Sequence, residues 1–161
     1  MSNQTDYTPD EWKTITAAPI MAGLLVTVSD LSGPIGTAKE AYAVVKGVTD
    51  AAARSNNDLI KAIAEGINKQ GGKPELPQTP HDQAGARAAL IEGCRQAVAI
   101  VAQRSPAEVD EFKEWLSSLA QKTAEASKEG GFLGIGGTPV SDAENSALKE
   151  LAAALGKSAK A

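Results

Sequence analysis

The chain has 161 residues, of which 42% are hydrophobic and 22% are charged, and this balance is typical of one folded globular domain spanning residues 1–161. The net charge is −4 and the lysines and arginines are scattered, which argues against binding to nucleic acids or to anionic membranes. The one cysteine, Cys94, rules out an intramolecular disulfide and a cysteine-based zinc site, and it fits a reducing, cytoplasmic location.

The first predicted helix covers about residues 9–29 and begins at a capping box, Thr8-Pro9-Asp10-Glu11. Pro19 lies inside it and removes a backbone donor, so we expect a kink or break near Ala18. The uncharged stretch 14–29 is shorter than the roughly 20 residues of a membrane span, which favours a buried core helix. The beginning of the chain lacks the basic region of a secretory signal.

A second helix is predicted at about 34–54 and a third at about 57–69, joined by a bend or a break. Two glycines and three prolines then fill residues 71–80. Such a composition is incompatible with a helix interior, so we expect an extended surface connection between two halves of one domain.

Three further helices are predicted at about 80–104, 106–128 and 141–155, each beginning at a Ser or Thr followed three residues later by an acid. Gly156 is expected to end the last helix, and residues 1–7 and 157–161 are expected to be frayed. Apolar residues recur every three or four positions and no two-residue alternation stands out. The sequence therefore predicts an all-α, single-domain bundle of five to six helices.

A glycine-rich connection precedes the last helix and contains apolar side chains between its glycines. Because loops are normally polar, these side chains could seal one end of the bundle, or they could form a flap over a ligand or partner site. A phosphate-binding loop is disfavoured because the Lys-Ser/Thr of that motif and a preceding strand are both missing. The candidate residues are Gly131, Phe132, Leu133, Gly134, Ile135, Gly136 and Gly137.

Acidic residues cluster in the first turns of the fifth predicted helix, at 108, 110, 111 and 114. Their spacing could hold a hard cation, although acids are favoured at any helix N-terminus. The only histidine, His81, is predicted in a first helical turn, and Cys94 lies on an apolar stripe. The two are about 20 Å apart on one helix, which disfavours a catalytic pair. We predict no catalytic residues and no cofactor.

Two short segments resemble the turn and capped helix of TerB-like, tellurite-resistance-type helical proteins. The first begins at Ser29-Asp30 and continues to Glu40, with extra residues between the Asp and the Gly. The second is 136–144, which lacks the Asp but ends in Ser141-Asp142-Ala143-Glu144. Together they cover about a fifth of the chain. The resemblance implies a stress-related bacterial bundle that responds to divalent metal, with Asp30, Asp142 and Glu144 as candidate ligands.

Three functions follow from these observations. The first is a non-enzymatic helical module that binds a protein partner or self-associates through the glycine-rich connection. The second is the metal-responsive TerB-like bundle. The third, ranked last, is an enzyme using a carboxylate such as Glu111, since a general base needs partial burial and that residue is expected to be exposed.

Overall fold

The computed structural model describes residues 2–29, 38–129 and 140–157. In this part of the chain six α-helices form one bundle, and no strand occurs among the described residues. This confirms the prediction of an all-α bundle. The helices are α1 (Pro9–Ser29), α2 (Ala38–Ala53), α3 (Asp58–Lys69), α4 (Gln83–Arg104), α5 (Val109–Glu129) and α6 (Asp142–Ala154), with short 3₁₀ turns at Gln4–Asp6 and Pro106–Glu108.

Helix α1 lies at the centre of the bundle. It packs most extensively on α4 and α5 and also contacts α2, α3 and α6. Its buried residues occur all round the helix, which explains why its sequence has no polar face. Two buried hydroxyl side chains, Thr16 and Ser29, donate to the carbonyls of Trp12 and Leu25 one turn earlier. No polar partner from another helix is therefore needed for either of them.

By length and composition alone, α1 is long and apolar enough to cross a membrane, although 78% of its apolar window is buried inside the bundle. The helix runs from Pro9 to Ser29 as predicted; the judgement that the segment is too short to span a membrane was based on its uncharged part alone, residues 14–29. The prediction of a buried core helix is confirmed. A core helix passes the same length test as a membrane helix, because both are apolar on every side.

Pro19 does not interrupt α1. The helix is continuous from Pro9 to Ser29 with Pro19 buried inside it. Of the two expected outcomes near Ala18, the break is therefore wrong, and the kink stays a prediction. Proline deprives one carbonyl of its helical donor. Packing against neighbours on every side holds the helix together across that position, and tertiary contacts outweigh the local penalty.

Two capping boxes form as predicted. At α1, the Glu11 amide donates to Thr8 Oγ1 (3.2 Å) and the Thr8 amide donates to the Glu11 carboxylate (2.9 Å). At α6, Ser141 and Glu144 exchange the same two bonds at 3.2 and 2.8 Å. Each box satisfies two backbone donors, and each places a carboxylate at the positive end of the helix dipole.

At two other helix starts the structure corrects one prediction and decides between two alternatives. Helix α4 begins at Gln83 rather than near 80, because Asp82 caps it by accepting from the Gly85 amide (2.7 Å). Helices α2 and α3 are separate, since Asn57 caps α3 by accepting from the Ile60 amide (3.0 Å). In both cases a short side chain directly before the helix supplies the acceptor.

The C-terminal stop at Gly156 is confirmed. Its φ is +69°, a left-handed conformation that favours glycine. The Gly156 and Lys157 amides donate to the carbonyls of Ala153 (3.0 Å) and Ala152 (2.9 Å). Lys157 also lies 2.7 Å from the Glu114 carboxylate, a contact that the expected frayed tail did not include. Residues 158–161 lie outside the described part.

Two glycines set the closest approaches to α1. A Cβ placed at Gly23 of α1 would lie 2.5 Å from Cγ1 of Val44 on α2, and a Cβ at Gly93 of α4 would lie 2.5 Å from Sδ of Met21. In contrast, a Cβ at Gly47 of α2 meets nothing within 4 Å. A side chain at Gly23 would therefore collide with the stiff Val44 side chain. One at Gly93 would need only the flexible end of the Met21 side chain to move, and one at Gly47 would meet open space.

Replacing Gly23 by Ala is expected to lower the free energy of unfolding by about 1 kcal/mol. Overpacking against the stiff, β-branched Val44 costs about 1–3 kcal/mol, and improved helix propensity offsets about 1 kcal/mol of that. The matched control, Gly47→Ala, is expected to raise stability by about 0.5–1 kcal/mol. Urea denaturation measures both, and equal stabilisation by the two substitutions contradicts the close α1–α2 packing.

Candidate functional site

The glycine-rich candidate segment, Gly131 to Gly137, lies outside the described residues. The structure does show what lies on either side of it. Helix α5 ends at Glu129, and Val140, which packs partly buried against the core, immediately precedes the Ser141 cap of α6. The segment therefore connects two helices of the bundle, and its role as a flap, a seal or a partner site stays a prediction.

The proposed metal ligands are not shown together. Asp30 lies outside the described residues, Asp142 is exposed, and Glu144 is only 3% exposed. The Glu144 carboxylate accepts from the Ser141 amide as part of the α6 cap, which accounts for a buried acid at this position without a metal. Within residues 2–29, 38–129 and 140–157, no group of three or more His, Cys, Asp or Glu is arranged to hold a metal. The three-carboxylate site stays a prediction.

The acidic cluster at the start of α5 makes structural contacts. Glu108 reaches across to α3, where its carboxylate accepts from the Leu59 amide (3.3 Å). That amide belongs to the first turn of α3, next to the one that Asn57 caps. Two amides of the α3 N-terminus are thus satisfied, one locally and one from a different part of the chain.

The remaining acids of this cluster face solvent. Asp110 lies 3.9 Å from Lys113, and Glu114 pairs with Lys157. Glu111, the candidate general base, is exposed on the surface of α5, as its sequence position predicted. A carboxylate that acts as a general base is usually partly buried, whereas Glu111 is exposed, and the enzyme hypothesis stays a prediction.

His81 and Cys94 do not form a pair. His81 is exposed in the bend before α4, so its predicted place inside the helix is wrong. Cys94 is fully buried and its thiol lies 3.7 Å from the Ala18 carbonyl of α1. Burial raises the pKa of this thiol to about 12. The thiolate needed for nucleophilic or metal chemistry is therefore strongly disfavoured, and the position of Cys94 on an apolar stripe of the fourth predicted helix agrees with its burial against α1.

A buried hydroxyl cluster joins the beginning of the chain to the α4–α5 corner. The Ser105 hydroxyl lies 2.7 Å from both the Tyr7 hydroxyl and the Ser2 hydroxyl. The Tyr7 ring packs on Trp12 with ring centroids 5.8 Å apart. Residues 2–7 are therefore docked, and the expected fraying of this end is wrong because Tyr7 buries its ring and pairs its hydroxyl.

The capping box predicted at Ser105-Pro106-Ala107-Glu108 does not form. Ser105 makes no side-chain cap there, because its hydroxyl is engaged by Tyr7 and Ser2. Burial is also the main reason that the pKa of Tyr7 is raised. The local sequence pattern was the same as at the two true boxes, and only the tertiary contact distinguishes them.

A shallow groove of about 440 Å³ lies between α4 and α6. Arg87 of α4 crosses it to make a two-point contact with the Glu150 carboxylate, at 3.1 and 2.9 Å, and also donates to Ser146 (3.2 Å). This bidentate pair ties the two helices together. The groove is lined by Ala84, Arg87, Ala88, Ile91, Glu92 and Glu150.

Comparison with protein-family models, with curated proteins and with solved structures found no match. The resemblance to TerB-like proteins therefore stays a prediction that rests on the two short segments described above.

The hydroxyl cluster predicts coupled effects on stability. Ser105→Ala is expected to lower the free energy of unfolding by about 1–2 kcal/mol, since the buried Tyr7 hydroxyl loses its Ser105 partner. Tyr7→Phe is expected to have a smaller effect, because Ser105 keeps its contact with Ser2. The double variant should lose less than the sum of the two. A urea-denaturation cycle measures this, and strict additivity contradicts the contact.

Proposed function

We propose that this chain is a non-enzymatic helical module that binds a protein partner, or a second copy of itself, through the apolar connection between α5 and α6. One observation carries the proposal, namely that Phe132, Leu133 and Ile135 lie among five glycines between residues 130 and 137. Apolar side chains at this density in a connection must pack against another surface to leave water.

The ends of this connection are held by a rigid scaffold. Ala124 in the second half of α5 and Ala147 in the second turn of α6 are both buried in the core. The capping box at Ser141 fixes the first turn of α6. Connections anchored in this way commonly carry binding residues, because the scaffold limits the entropy lost when they engage a partner.

The cellular setting proposed with this function is the cytoplasm. The one cysteine is a buried free thiol, and no disulfide is needed to hold the bundle together. Both features suit a reducing compartment.

The double variant Phe132→Ser/Leu133→Ser tests the proposal. Native mass spectrometry of protein taken directly from the expressing cells should show an oligomer or a bound protein for the parent chain. The variant should lose it while keeping its helical circular dichroism and its thermal midpoint. Removing two buried apolar side chains from an interface typically weakens binding by tenfold or more.

The matched control is Ala84→Ser/Ala88→Ser, which changes two exposed apolar residues in the α4–α6 groove and should leave the complex intact. Two results count against the proposal. The parent chain could be a bare monomer under these conditions, or the Phe132/Leu133 variant could unfold, which would show that the connection seals the bundle.

A further inference from the structure

The connection between α3 and α4 repeats proline at every third position. Pro74, Pro77 and Pro80 are separated by Glu75-Leu76 and Gln78-Thr79. Residues 73–80 form neither helix nor strand, and residues 75–80 are all exposed. A spacing of three matches the polyproline II helix, which has three residues per turn. In that conformation all three prolines lie along one edge.

The backbone of this segment is unpaired. No backbone hydrogen bond joins residues 74–81 to any other described residue, and the three prolines have no N–H to donate. The carbonyl groups are therefore open to an incoming partner. Proline fixes φ near −65° and restrains the residue before it to extended conformations, so the segment loses little entropy on binding.

Both ends of the segment are fixed. Gly71 and Gly72 have φ of +67° and +73° and end α3, with the Gly72 amide donating to the Ile67 carbonyl (2.9 Å). Asp82 caps α4 at the other end. Between them Glu75 lies 2.8 Å from Lys13 of α1. The prolines are therefore presented on the surface of a folded domain, which reduces the entropy lost on binding.

Leu76 is the one large hydrophobic side chain that is exposed among the described residues, at 36%. It directly precedes Pro77, so an apolar side chain and a proline are presented side by side. Domains that recognise polyproline II helices bind such an apolar residue and proline in grooves lined by aromatic side chains.

We propose that residues 74–80 are a docking segment for a different protein whose surface carries an aromatic-lined groove for polyproline II helices. A second copy of this chain offers no such groove among its described aromatic side chains, since Tyr7, Trp12, Phe112 and Trp115 are all 7% exposed or less. The proposal is independent of the glycine-rich connection, which lies elsewhere in the chain.

The test uses the full-length chain and immobilised SH3, WW and EVH1 domains as probes, with binding followed by biolayer interferometry. At least one domain should bind saturably. The variant Pro74→Ala/Pro77→Ala/Pro80→Ala should bind that domain at least about tenfold more weakly, because prolines dominate such contacts. The matched control Gln78→Ala keeps all three prolines and should bind within about twofold of the parent chain.

Circular dichroism and thermal denaturation establish that each variant is folded; exposure of the segment makes a fold defect unexpected. Leu76→Ser keeps all three prolines and should also weaken binding. It tests the docking proposal if the triple proline variant is unstable. Absence of saturable binding to every probe, or equal binding by the proline and Gln78 variants, overturns the proposal and leaves the prolines as a rigid spacer.

Discussion

Burial of α1 on all sides is the constraint on which the rest of the structure depends. A 21-residue helix without a polar face can be kept from water only if other helices cover it, so α2 to α6 each direct apolar residues toward it. Small residues at the helix contacts set how closely α2 and α4 approach α1. Gly23 admits Val44, and Gly93 admits Met21, which places α2 and α4 in direct contact with the central helix.

Most of the secondary structure could be predicted from sequence because its signals are local. The boxes at Thr8 and Ser141 and the stop at Gly156 depend on residues within a few positions of one another. Propensity and capping operate at that range. The all-α class followed from the spacing of apolar residues, which needs no knowledge of the partner helices.

The sequence could not predict which of several similar local motifs forms its expected local contact and which makes a distant one instead. Ser105 has the same capping pattern as Ser141, yet its hydroxyl pairs with Tyr7, 98 residues away. Glu108 likewise serves the distant amide of Leu59. Pro19 should break a helix locally, but the helix continues because it is buried. Of the candidate site, the structure places Asp142 and Glu144 in α6, while the glycine-rich residues lie outside the described part.

The measurement that tests the central role of α1 most directly is native-state amide hydrogen exchange followed by NMR. Amides of α1 from Ile20 to Val28 should be among the slowest in the chain and should exchange only through global unfolding. Their exchange free energies should then equal the free energy of unfolding measured in urea. Faster exchange in α1 than in α6 would show that the central helix opens independently, which contradicts an account in which every other helix packs around it.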